Sequence, residues 1–136
     1  MVYLYIGAGG FLGAIARFLL GRLVEGVNPT AFPWGTFTIN LIGSFVLGFF
    51  LTFALERLTI SPELRLGVST GFLGAFTTFS TFMLETVSLV DAGSPGLAGC
   101  YLFFSMVLGL FFAWLGVSLA RLPLFVRLKE ASKRDG

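Results

Sequence analysis

The chain's 136 residues include 56% hydrophobic and only 12% charged side chains, with a formal net charge of +2, about half the charged content of soluble domains. A mean hydropathy of +0.92 and 17 Phe residues exceed what a soluble core of this size hides, so the chain reads as one membrane domain over residues 1–136. Histidine is absent and Cys100 is the only cysteine, which excludes Ser-His and Cys-His dyads, imidazole relays, His- or Cys-built metal sites and an intrachain disulfide.

Four apolar stretches, at residues 2–23, 34–55, 66–90 and 97–120, each have the roughly 20 residues that a helix needs to cross a bilayer. The expected fold is all-α with four transmembrane helices, followed by a basic tail over residues 121–136. No basic n-region precedes the first stretch, so an uncleaved first helix is expected rather than a signal peptide.

In the first span, Gly7, Gly9, Gly10 and Gly13 superficially resemble a dinucleotide loop, but no strand precedes them and the spacing is wrong. Gly9-xxx-Gly13 instead suits close helix packing, as does Gly67-xxx-Gly71 in the third span. Arg17, on the Gly9 and Gly13 face, has two readings: a side chain snorkelling to the headgroups, or part of an anion-attracting vestibule. The loop at residues 25–33 holds Asn28-Pro29 and Pro33, and Trp34 follows at the interface.

Along the second span Thr36, Asn40, Ser44 and Gly48 recur every four residues and form one stripe. Such a stripe serves as interhelical glue or as a wet path, and the path is the favoured reading because hydrogen-bonding groups can replace an ion's hydration shell.

The third span contains the least hydrocarbon-like segment, Gly71-Phe-Leu-Gly-Ala-Phe-Thr-Thr-Phe-Ser-Thr-Phe82. Two glycines and two adjacent β-branched threonines weaken the helix, and unwinding is expected within residues 71–78. Carbonyls released there persist only when buried in protein, lining water or binding a cation. Phe79 and Phe82, three apart, can turn electropositive ring edges toward an anion. Glu85 lies four residues beyond Thr81 as the one acid well inside a span, its alternative being an interfacial position near the helix end. On the fourth span Tyr101, Ser105 and Gly109 make a sparser stripe. Together the hydroxyls of spans two to four offer an anion successive donors without a fixed positive charge to trap it.

Short connections make neighbouring helices antiparallel and put both termini on one side. That side holds Arg57, Arg65, Arg121, Arg127, Lys129, Lys133 and Arg134, against Arg17 and Arg22 on the other, which favours cytoplasmic termini. The tail dominates the imbalance and is read as facing headgroups rather than nucleic acid.

Three motifs, Gly9-Gly-x-x-Gly-Ala-x-x-Arg17, Gly35-Thr-x-x-x-Asn40-x-x-Gly43-Ser-Phe-x-x-Gly48 and Gly71-x-x-Gly74-x-x-Thr-Thr-Phe-Ser-Thr-Phe82, resemble the Fluc (CrcB-like) fluoride channel family. The resemblance implies a dual-topology homodimer of antiparallel subunits, with a broken third helix and two pores that export fluoride passively across the bacterial inner membrane. It implies that Phe79 and Phe82 are pore phenylalanines beside Asn40, and that Ser80, Thr81, Glu85, Tyr101 and Ser105 fall on the polar track. It also implies a structural Na⁺ at the dimer interface on the carbonyls of Gly74 and Thr77, with Arg17 near the vestibule. Ala75 stands where the family usually has another glycine. The rival readings are a small multidrug-type exporter, which needs an acid in the first span where residues 2–23 have none, and a non-transporting membrane scaffold. An enzyme lacks the catalytic groups.

Overall fold

A computed structural model describes residues 1–56 and 59–122; Arg57 and the basic residues Arg127, Lys129, Lys133 and Arg134 lie outside them. The elements are α1 (Val2–Val27), α2 (Trp34–Glu56), α3 (Pro62–Leu66), a π-helical segment (Gly67–Leu73), α4 (Gly74–Phe76), α5 (Ser80–Asp91) and α6 (Pro95–Ala120). Among the described residues there is no strand, and four helical stretches are long and apolar enough to cross a membrane, the third running from Pro62 to Asp91. The chain is therefore an all-helical, multi-pass membrane protein.

Local chemistry accounts for the element ends. Ser61 caps α3 by accepting the Leu64 N–H at 3.3 Å, with Pro62 at the first helical position, where its missing N–H costs nothing. Between α5 and α6, Gly93 takes φ +77 while its N–H reaches the Val90 carbonyl and the Ser94 N–H reaches that of Leu89. This pair of bonds is a Schellman ending, and a side chain at Gly93 would be strained. α1 runs four residues past the expected end at Leu23, since nothing in Val24–Val27 breaks a helix before Asn28 and Pro29.

Two tight seams hold the bundle. α1 lies along the π-helical segment and α4, while α2 lies along α6. A Cβ at Gly9 would strike the Gly67 carbonyl and stand 2.9 Å from the Phe72 nitrogen, and one at Gly71 would stand 2.6 Å from the Ile6 carbonyl oxygen. Both small-xxx-small pairs thus face each other, giving backbone-to-backbone approach where lipid offers no hydrophobic drive. In the second seam a Cβ at Gly48 would lie 2.5 Å from the Ala113 carbonyl oxygen, and one at Gly116 would strike that of Phe45. Gly48, expected on the polar stripe, is thereby spent on packing against α6. Where α5 meets α6, fully buried Tyr101 packs with Phe82, Leu89 and Ala98 against Phe32 and Phe37.

The third span departs from uniform helix over less backbone than expected. Gly71 to Phe76 remain helical, first wide and then α, and the irregular stretch is residues 77–79, where Thr77 is extended at φ −77, ψ 156. Gly71 is pressed against α1, whereas a Cβ at Gly74 would meet only the Ser69 carbonyl oxygen at 3.9 Å. The extended residue, Thr77, is the first of two adjacent β-branched threonines.

Candidate functional site

Asn40 of α2 meets the irregular stretch directly. Its Nδ2 donates to the Thr78 carbonyl at 2.9 Å, and its Oδ1 accepts the Thr78 N–H at 2.9 Å. The carboxamide thus acts as a substitute peptide group, satisfying both main-chain polar atoms of one residue inside the membrane. In an unbroken helix that N–H would close on the Gly74 carbonyl; directed to Asn40, it leaves Gly74 without this partner. Gly43, one turn beyond, makes room: a Cβ there would strike the Thr77 methyl group. The Thr78 hydroxyl accepts the Thr81 N–H at 3.2 Å and donates to Thr81 Oγ1 at 3.0 Å, so it caps the start of α5.

Glu85 sits one turn further along α5 and is clamped from two helices. Thr36 Oγ1 donates to Oε1 and the Tyr101 hydroxyl to Oε2, both at 2.8 Å. α2, α5 and α6 thus converge on this carboxylate. The same bonds mean that the Thr36 and Tyr101 protons are already committed. Several other hydroxyls turn back on their own helices: Thr77 to the Leu73 carbonyl, Thr86 to Phe82 and Ser88 to Leu84.

Phe79 and Phe82 separate in environment although their ring centroids are 6.0 Å apart. Phe82 is buried with its ring edge-to-face against Tyr101 at 4.9 Å, whereas Phe79 is 75% exposed. Ser80 and Thr81 are exposed beside it. On α6, the Ser105 hydroxyl oxygen is buried and, among the described residues, has no hydrogen-bond partner.

Two hollows meet at this junction. The outer one, of ≈ 320 Å³, is lined by Arg17 and Arg22 of α1, Thr36 and Ile39 of α2, and Thr78, Thr81 and Glu85, among others. An inner one of ≈ 260 Å³ is lined by Asn40, Gly43, Ser44, Leu47, Thr77, Thr78 and Phe79. Thr78 belongs to both, so the Asn40–Thr78 bridge stands between them. Of the residues singled out from sequence, Arg17, Thr81 and Glu85 come together in the outer hollow and Asn40, Thr77 and Phe79 in the inner one, while Tyr101 reaches the outer group through Glu85 and Phe82 lines neither. Gly74, Ser80 and Ser105 line neither. Thr78 and Arg22 carry more of the geometry than sequence reasoning gave them; the paired threonines ahead of Phe79 were the available signal for the first.

Four apolar helical spans with two polar hollows flanking the irregular residues 77–79 have the architecture of a small channel-like membrane protein. Residues 4–117 match the family described as CrcB-like protein, Camphor Resistance (CrcB), and the chain belongs to that family. It is 51% identical over 124 residues to Fluoride-specific ion channel FluC 1 of Moorella thermoacetica, covering 91% of this chain and 89% of the relative. It is also similar to proteins named Fluoride-specific ion channel FluC from Geotalea uraniireducens, at 42% over 118 residues covering 87% and 95% of the two chains, and from Thermus thermophilus, at 45% over 117 residues covering 86% and 93%.

Proposed function

We propose that this protein is a fluoride channel that lets the anion leave the bacterial cytoplasm passively across the inner membrane and so limits fluoride toxicity. The observation that carries the reading is the pair of polar hollows on either side of Thr78. The outer one holds Arg17 and Arg22 beside Glu25 and Glu85, while among the described residues no charged side chain lines the inner one. Cations at a mouth raise the local anion concentration, and an uncharged interior lets the ion move on. Fluoride is small and strongly hydrated, and hydroxyl groups, the second Asn40 amide hydrogen and phenyl ring edges can stand in for its water. The Thr36 and Tyr101 protons on Glu85 temper the repulsion that this carboxylate would exert on an anion. The relatives' names favour the channel over the exporter and scaffold readings.

The working unit in this reading is a homodimer of two inverted copies. Phe79, Ser80 and Thr81 are exposed on a single chain, and a second copy would enclose them and complete each pathway. The interrupted third helix would also hold a structural Na⁺ at the dimer interface through the carbonyls of Gly74 and Thr77. The residues fit such an ion, because Thr78's N–H is diverted from Gly74 and a hard cation takes oxygen ligands. Among the described residues no acid or cysteine cluster offers an alternative metal site. When bound, the ion would supply positive charge close to the anion path.

Fluoride efflux from liposomes containing the purified protein, with chloride as control, tests the function. Fluoride is expected to leave while chloride is retained; equal fluxes, or none, would overturn the reading.

A further inference from the structure

The outer hollow carries a charge that the permeation path does not use. Glu25, in the last turn of α1, lines it together with Arg17 and Arg22. Its carboxylate rests on the start of α2, where a Cβ at Gly35 would stand 2.7 Å from Oε1. Arg22 is placed by its guanidinium lying 6.0 Å from the centre of the Phe18 ring, at the edge of cation–π range. Among the described residues, Arg17, Arg22 and Glu25 form no side-chain hydrogen bond or ion pair, so none of the three is neutralised by a direct partner. The second carboxylate facing the hollow, Glu85, is engaged by two hydroxyls. The hollow thus faces two guanidinium groups and two carboxylates, and of the carboxylates Glu25 alone has no hydrogen-bond partner among the described residues.

We propose that Glu25 is an electrostatic attenuator of anion entry, offsetting Arg17 and Arg22 at the mouth and holding fluoride uptake below what the two arginines alone would give. This inference rests on the channel reading. Below saturation, throughput scales with the local ion concentration at the mouth, and one unit charge several ångströms away in a water-filled cavity changes that concentration about two- to threefold. The influence is long-ranged only at low salt, since the screening length is about 30 Å at 0.01 M and about 3 Å at 1 M.

The test compares fluoride efflux from liposomes for the parent, Glu25→Gln and Arg22→Gln, at about 10 mM and about 1 M of an impermeant salt. At low salt Glu25→Gln is expected to raise the rate about two- to threefold and Arg22→Gln to lower it by a similar factor, with all rates converging at high salt. Gly35→Ala serves as a second route: its methyl displaces the carboxylate without removing its charge, and the gain should be smaller than for Glu25→Gln. A rate for Glu25→Gln equal to the parent's at low salt, or a change that persists undiminished at high salt, would overturn the attenuator while leaving the channel standing. A parent protein that passes no fluoride would overturn both.

Discussion

Asn40 is the side chain that pairs with the main chain at the irregular stretch of the third span. Its two bonds to Thr78 satisfy a main-chain donor and acceptor that an uninterrupted helix would satisfy internally. Replacing it by alanine leaves both groups unpaired in a water-poor setting, at a cost of about 1–3 kcal/mol. Asn40→Ala is therefore expected to lower the thermal unfolding midpoint in detergent and to suppress fluoride efflux. Asn40→Asp keeps the acceptor for the Thr78 N–H but loses the donor and adds negative charge. It should recover part of the stability and none of the flux, and equal stability losses in the two variants would argue against the peptide-substitute role. The sequence marked Asn40 as a polar residue needing a partner. That its partner is main chain, 38 positions away, depends on how α2 and the third span are brought together.

At the scale of elements, the seam between α1 and the π-helical segment illustrates how glycine spacing becomes packing. Gly7 and Gly9 belong to one glycine-rich run, but a Cβ at Gly7 meets nothing within 4 Å while one at Gly9 strikes the Gly67 carbonyl. Gly9→Ala should destabilise the protein by about 1–3 kcal/mol through forced separation of the helices. Gly7→Ala should be neutral or slightly stabilising, by up to about 1 kcal/mol from helix propensity. Detergent thermal unfolding of the two variants checks this directly, and equal effects would contradict the seam. Periodicity exposed the motif, whereas the face of α1 that meets the third span is a tertiary fact. The same holds for the polar stripe of α2: period four groups Gly48 with Asn40 and Ser44, yet α6 claims Gly48 for contact with Ala113.

For the whole molecule, Phe79, Ser80 and Thr81 form an exposed strip on a single chain. In the proposed assembly a second, inverted copy covers it. Light scattering in detergent is expected to give a protein mass near twice 14.7 kDa. Reporter fusions at the C-terminus should report both membrane orientations, and a single orientation would argue against inverted pairing. The seven basic residues on the terminal side against two on the other make this a demanding test. Five of the seven, Arg57, Arg127, Lys129, Lys133 and Arg134, lie outside the described residues. Of the other two, Arg121 pairs with Glu56 at 2.7 Å across the ends of α6 and α2, and Arg65 lies in α3.

Four helical membrane spans were legible in the chain before any fold was known, because length and hydropathy decide what can cross a bilayer. The sequence placed an irregularity in the third span too broadly, over residues 71–78, because glycine and paired threonines each weaken a helix locally, whereas packing confines it to residues 77–79. Only the tertiary structure decided which hydroxyls remain free. Thr36 and Tyr101 spend their protons on Glu85, and Thr77 returns its own to Leu73. A hydroxyl's availability is a matter of what lies within 3 Å of it, and residues far apart in the chain settle that distance by packing.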